Sequence, residues 1–419
     1  MIELVVERNP GEIRVAIRED GRTVEVRLDR LGAASRLGAI HLARAVRIEP
    51  GIGAFLDIGE RQPAFLPDSG PPVIEGSTLL VQTVKETVAG KGPEVTRALV
   101  LDGGALALTP FQPGIAVSRR LPDAMRKRLR ARLKTVVGES GPGVLVRTSA
   151  RDGDDLEATW RDLLGQWRKI ETRVGETPSL RLWTPPDPLL LLVRQLRPDR
   201  LIAGDAATAA KLRSTSAAIE KVERPFDALG IEDELSRALA REVAIPGGRL
   251  LIEEGETLTA IDVNGAGDRL ALCIAAAHAI GPLIRLRGLG GILIVDFPFI
   301  DGKPERERID AALKASVEAD PQPVDCLGWT RAGLYEVTRP RLGPSLSALL
   351  RGSPVETAAL AALRALARAE GGRLRLSASP EVIAWLHGAG AAALAEAGRA
   401  VALEAKPGYG REQFEVVRE

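Results

Sequence analysis

Asp262, Asn264 and Asp296 are the residues in this sequence whose types and spacing best suit chemistry. In an extended segment alternate residues share a face. Within Leu258-Thr-Ala-Ile-Asp-Val-Asn the Asp262 carboxylate and the Asn264 carboxamide therefore project together, while Ile261 and Val263 point into the opposite layer. Asp296 follows the apolar run Gly291-Ile-Leu-Ile-Val, which places it near the end of a second central strand, where open α/β sheets carry their sites. Two carboxylates and a carboxamide are hard oxygen donors that suit Mg2+, with Mn2+ as a substitute, and not zinc. An Asp at a strand end is also a common helix cap or ion-pair partner, so the pattern alone leaves both readings open.

The elements around these residues must hold them in register. Arg249-Leu-Leu-Ile-Glu and Thr257-Leu-Thr-Ala-Ile-Asp-Val-Asn read as a hairpin turning at Gly255, followed by a helix near Leu270 to Leu286. The 34 positions from Asp262 to Asp296 leave room for one crossover helix, which would set both strands in one sheet. Gly291-Ile-Leu-Ile-Val-Asp-Phe is apolar throughout and predicts a strand buried on both faces.

The first hundred residues read as short strands, among them Leu4 to Glu7, Ile13 to Ile17, Val24 to Leu28 and Ile40 to Val46. From Gly38 the series through Gly53-Ala-Phe-Leu-Asp-Ile-Gly, Ala64-Phe-Leu-Pro and Thr78 to Val84 suits a small five-stranded OB barrel. A helix is expected from about Pro122 to Val137 with a basic solvent face, then a strand at Val144 to Thr148. A second helix from Asp154 should bury Trp160 and Trp167 on its apolar stripe. The chain from about Ile219 to Glu242 reads as α-rich, and an Ala/Leu-rich helix with two strands makes a small α/β unit at the C-terminal end.

Composition narrows the function classes. With 45% hydrophobic and 27% charged residues the chain is ordinary globular material, and 419 residues predict several domains. A net charge of +1 gives no bulk attraction to nucleic acid, so any such contact must come from local basic patches. Cys273 and Cys326 stand too far apart for a CxxC zinc knuckle, and His41, His278 and His387 lack metal-ligand spacing. No signal-peptide pattern opens the sequence, and a cytoplasmic protein is expected.

Leu258-Thr-Ala-Ile-Asp-Val-Asn and Leu289-Gly-Gly-Ile-Leu-Ile-Val-Asp-Phe resemble the two catalytic segments of the ribonuclease E/G family. Gly53 to Gly59 with Ala64 to Pro67 resembles its OB-type RNA-binding domain, and Val117-Ser-Arg-Arg with Leu145-Val-Arg-Thr resembles its sensor of RNA 5′ ends. Arg285 to Gly291, Thr330 to Arg339 and Leu342 to Leu346 complete the likeness in the family's order. It implies a multidomain α/β fold. An RNase H-like subdomain would occupy 1–37 and 189–242, interrupted by an OB barrel at 38–98 and a 5′ sensor at 99–188. A DNase I-like catalytic subdomain would follow at 243–350, and a small C-terminal unit at 351–419.

The same resemblance implies a Mg2+-dependent endoribonuclease acting on single-stranded RNA. Asp262 and Asp296 would ligate the metal and Asn264 would orient a ligand or the scissile phosphate. Metal-activated water would then leave a 5′-phosphate and a 3′-hydroxyl. Phe55 and Phe65 match positions that stack bases, and Lys91 a nearby basic contact. Arg147 and Thr148 match the side chains that hold a 5′-monophosphate, Gly103 and Ala107 fall where that pocket supplies backbone, and Arg119 and Arg120 line the same groove or face solvent. Two other classes stay open, a non-catalytic RNA-binding relative and a metal-dependent phosphohydrolase of small substrates. Where the family carries a CxxC zinc link, this chain reads Leu349-Leu-Arg-Gly-Ser-Pro-Val-Glu-Thr, so no zinc is expected and no oligomeric state is assigned. The segment after Asn264 is also shorter than the family's and lacks its polar helix start.

Overall fold

The computed structural model describes residues 1–30, 37–68, 70–85, 92–138, 141–176, 178–213, 218–398 and 400–418. The chain falls into two compact units, one of residues 1–34, 199–213 and 218–419, the other of residues 35–198 and 214–217.

The first unit opens with β1 (Ile2–Asn9), β2 (Glu12–Glu19) and β3 (Arg22–Arg30), an antiparallel meander. Its two tight turns contain Gly11 and Gly21 at φ 77° and 78°, which glycine adopts without strain.

In the second unit β4 (Ile40–Glu49), β5 (Gly53–Asp57), β6 (Ala64–Pro67), β7 (Thr78–Lys85) and β8 (Glu94–Thr96) close on themselves. β5 pairs with β4 and β6, β8 with β6 and β7, and β7 returns to β4, a five-stranded barrel of the OB kind. Small and branched side chains fill it, Ala43, Ala45, Ala54, Leu56, Ala64, Leu66, Val81 and Val95, because a barrel this narrow leaves little room. Next come β9 (Leu101–Asp102), β10 (Leu106–Thr109), β11 (Ile115–Val117), α1 (Asp123–Leu133), β12 (Gly143–Val146) and α2 (Leu156–Glu171). Their sheet runs β11-β12-β10-β9, and α2 buries Trp160 and Trp167 in its core, as the helical spacing requires. β13 (Leu180–Trp183) adds to β4 from outside the barrel, and α3 (Pro188–Leu196) follows.

The first unit resumes with β14 (Arg200–Ala203), α4 (Ala206–Leu212) and β15 (Ile219–Lys221). β14 pairs parallel to β1, giving the order β15-β14-β1-β2-β3, so one sheet is built from both sides of the second unit's sequence. The stretch read as α-rich from Ile219 thus opens with a strand before α5 (Pro225–Ala228) and α6 (Ile231–Leu239).

β16 (Glu242–Ile245), β17 (Gly248–Glu254), β18 (Leu258–Gly265), α7 (Arg269–Arg287), β19 (Gly291–Asp296), α8 (Lys303–Val317), β20 (Asp325–Trp329) and β21 (Tyr335–Arg339) form a second layered structure, with sheet order β16-β17-β18-β19-β21-β20. α7 is the expected crossover, and β18 and β19 are parallel neighbours. α7 is long and apolar enough to cross a membrane by length and composition, but its buried residues belong to the core beneath this sheet. α7 and α8 pack closely at Gly281, where a Cβ would lie 2.3 Å from the Ser316 carbonyl oxygen.

The strand Gly291–Asp296 corrects the expectation of burial on both faces. Leu293 and Val295 are buried against the helices, whereas Ile292 is 40% exposed and Ile294 only half-buried on the other face. The apolar run is real, but α7 and α8 cover a single side of the sheet.

The chain ends in α9 (Leu346–Gly352), α10 (Pro354–Arg368), β22 (Leu374–Ala378), α11 (Pro380–His387), α12 (Ala391–Glu396), β23 (Val401–Ala405) and β24 (Phe414–Arg418), with a three-stranded sheet β23-β22-β24. The stretch Leu349 to Thr357 spans the junction of α9 and α10 at Ser353. α10 is tied to the N-terminal meander by half-buried arginines on buried carboxylates, Arg364 to Glu12 at 2.8 Å and Arg368 to Glu7 at 3.2 Å.

Candidate active site and RNA-contact residues

β18 alternates as its sequence requires, with Thr259, Ile261 and Val263 buried while Asp262 is half-buried and Asn264 exposed on the opposite face. Asp262 and Asp296 are register partners across the parallel β18–β19 pair, so their Cα atoms stand about 4.8 Å apart on one face. The Asn264 Nδ2 donates to Asp262 Oδ2 at 2.5 Å, which restrains that carboxylate. Asp296 is exposed and has no hydrogen-bond or ion-pair partner among the described residues. Like charges placed side by side on neighbouring strands repel, so this pair is unfavourable without a cation between or beside it. Among the described residues no group of three or more His, Cys, Asp or Glu gathers for a metal. The donor set that exists, the half-buried Asp262 and the exposed Asp296 carboxylates on one face, fits Mg2+, which keeps much of its water shell and needs only one or two carboxylates.

The end of the sheet that carries this pair also gathers the start of β17 and the β20–β21 turn. Arg249 pairs in register with Asn264, and its guanidinium lies 3.4 Å from Glu242. The connection from β18 to α7 is only three residues long, and Asp268 within it caps the helix, accepting from the Leu270 and Ala271 amides at 2.9 and 3.2 Å.

In the barrel, Phe55 and Phe65 are register partners on β5 and β6 with ring centroids 5.5 Å apart. Alternation turns Ala54, Leu56, Ala64 and Leu66 inward, which leaves both phenyl rings half-buried on the outer surface and not in the barrel core. Arg47 of β4 lies over the Phe55 ring at 4.2 Å, a basic partner that the sequence reading missed. A register shift at β4 opposite β5 brings it there, and no sequence pattern announces such a bulge. Lys91 lies outside the described residues.

The candidate phosphate pocket collects at one end of the sheet β11-β12-β10-β9. Arg147 and Thr148 follow β12, Ser118, Arg119 and Arg120 follow its parallel neighbour β11, and Gly103 follows β9. The Ser118 and Thr148 hydroxyls are hydrogen-bonded at 2.8 Å, and Arg119 and Arg120 are exposed. Arg147 is ion-paired to Asp102, which also accepts from Gln195 Nε2 at 3.1 Å and from the Gly104 amide at 2.8 Å. Asp102 and Gln195 therefore aim the guanidinium, while its Nε is buried with no hydrogen-bond partner. Neither was foreseen, although Asp102-Gly-Gly is a turn signal. Gly103 is packed under α2, where a Cβ would meet Thr159 Cγ2 at 2.8 Å, and Ala107 is fully buried between β9 and β12.

Residues 100–342 match the model of the Ribonuclease E/G family, a span that includes the candidate phosphate pocket and both candidate carboxylates. The chain is 30% identical over 487 aligned positions to Ribonuclease G of Salmonella typhimurium (strain SL1344), covering 99% of each protein. It is 29% identical to Ribonuclease G of Escherichia coli (strain K12), again over 99% of both. Against Ribonuclease E of Escherichia coli (strain K12) it is 30% identical, with 80% of this chain aligned to 36% of that longer protein. A family match over more than half of the chain, joined to likeness along nearly its whole length, means that this protein belongs to the ribonuclease E/G family.

Proposed function

We propose that this protein cuts single-stranded RNA hydrolytically at the open face of β18 and β19, using Mg2+ held by Asp262 and Asp296 and leaving 5′-phosphate and 3′-hydroxyl ends. It is an endoribonuclease of the ribonuclease E/G family, with relatives named for that activity along nearly its full length. The observation that carries the site assignment is the paired register of two solvent-facing carboxylates that no cation of the described chain neutralises. When bound, Mg2+ supplies Lewis-acid polarisation of the scissile phosphate and lowers the pKa of water. Asn264 holds the Asp262 carboxylate in place through its Nδ2. Phe55 and Phe65 offer stacking faces to bases on the barrel surface, with Arg47 beside them for a phosphate. Arg147, aimed by Asp102, and Thr148 receive a 5′-monophosphate, the guanidinium by charge-assisted hydrogen bonds.

The test is cleavage of a short 5′-monophosphorylated single-stranded RNA with Mg2+, Mn2+ or excess chelator, followed by end-group analysis of the products. Metal-dependent cutting with 5′-phosphate ends is the expected result. Binding without cutting under every condition would make the chain a non-catalytic relative.

A further inference from the structure

We infer that Phe299 is a stacking platform for the base of a nucleotide flanking the scissile phosphate, an inference that rests on the carboxylate site proposed above. Phe299 lies three residues beyond Asp296, so their Cα atoms are at most about 11 Å apart. The residue is 68% exposed in a chain with only 3% aromatic residues. Isolated exposed apolar residues are common on protein surfaces, so exposure alone decides nothing. The way the segment is held is more informative.

Each neighbour of Phe299 is anchored. Phe297 is buried, its ring 5.5 Å from Trp329 and 6.3 Å from Tyr335. The Pro298 carbonyl meets the Cys273 thiol at 4.0 Å, and the proline ring restricts the backbone at that point. Ile300 is buried, and its carbonyl accepts from Arg306 Nε at 3.1 Å. The phenyl ring of Phe299 is thus presented on a pinned backbone, with no ring partner among the described residues. Pinning removes most of the ordering cost that a mobile aromatic would incur on stacking.

A cation completes the arrangement. β21 runs antiparallel to β19 with Tyr335 opposite Val295, so the turn preceding it lies at the same end of the sheet as Asp296. Arg331 in that turn is exposed and has no ion-pair partner among the described residues. A carboxylate pair, an open aromatic face and an unneutralised guanidinium thus share one end of one sheet. Single-stranded nucleic acid presents phosphates and π faces in alternation, and stacking accepts any base. The chemistry favours a nucleotide as the occupant, with Phe299 fixing the base and Arg331 the neighbouring phosphate.

The test uses the full chain with Phe299→Ala, Phe299→Leu and Phe299→Trp. Cleavage is followed on a 5′-monophosphorylated oligoribonucleotide, and 2-aminopurine is placed in turn on either side of the cleaved bond. Its fluorescence is read in an Asp262→Asn background that leaves the RNA uncut. Phe299→Ala and Phe299→Leu are expected to lower kcat/KM by about fivefold or more, and Phe299→Trp to restore it. The wild-type ring should quench 2-aminopurine at one flanking position, with the quench lost in Phe299→Ala. Full activity with leucine, or an unchanged quench in the alanine variant, would overturn the inference while wild-type cutting upheld the nuclease site. A wild type that neither cuts nor binds the RNA would remove the nuclease reading first and this one with it.

Discussion

Asp262 and Asp296 stand opposite each other on adjacent parallel strands, on the face of the sheet away from α7 and α8. Replacing either with asparagine keeps the shape and removes one charge of the pair. Asp262→Asn and Asp296→Asn are each expected to abolish cleavage while leaving RNA affinity within a few-fold, because the barrel aromatics are untouched. Turnover and equilibrium binding of both variants check this, and full activity in either would sink the metal assignment.

Phe55 and Phe65 lie on the outer surface of the barrel, so their removal should not hollow its core. Phe55→Ala with Phe65→Ala should weaken binding of single-stranded RNA by roughly 1 to 3 kcal/mol per base lost from a stack. Fluorescence anisotropy measures the affinity and circular dichroism checks the fold. Unchanged affinity in a folded variant would make the ring pair a structural contact only.

Arg147 is separable from the carboxylate pair because it lies in the other compact unit. The wild type should cut 5′-monophosphorylated RNA faster than the same RNA with a 5′-hydroxyl, by about tenfold or more in kcat/KM given the strength of a charge-assisted contact. Arg147→Ala should erase most of that preference with little change on the 5′-hydroxyl substrate. Equal slowing on both substrates would mean that the pocket is structural.

Arg339 and Asp320 form a buried pair, with side chains 6% and 2% exposed and two contacts of 3.0 and 3.2 Å, and Arg339 also donates to the Leu289 carbonyl at 2.9 Å. Asp320→Ala leaves the guanidinium uncompensated beside the base of β19 and should cost about 3 to 5 kcal/mol of stability. Denaturant unfolding provides the measurement, and a loss under about 1 kcal/mol would show that water reaches the charge.

Much of this protein was legible from residue order alone, because the relevant physics is local. Alternation around Asp262 put its carboxylate and the Asn264 amide on one side and Ile261 and Val263 on the other, since strand geometry has a period of two. Helical spacing placed Trp160 and Trp167 in the core for the same kind of reason. The mixed α/β class, the OB-like barrel and the family followed from strand runs and long motifs. What residue order could not decide was which distant segments meet. The pairing of Asp262 with Asp296 rather than with a neighbouring position depends on how β18 and β19 slide against each other once α7 has packed. The exposure of Ile292 depends on helices covering only one face, so an apolar run that looked doubly buried was not. Arg47 over Phe55 and Asp102 beside Arg147 each join residues from different strands, and a guanidinium finds its aromatic ring or carboxylate only after the sheets have closed. Local periodicity chooses the face on which a side chain lies, but cross-strand register and layer packing choose its neighbours, and the proposed chemistry depends on those neighbours.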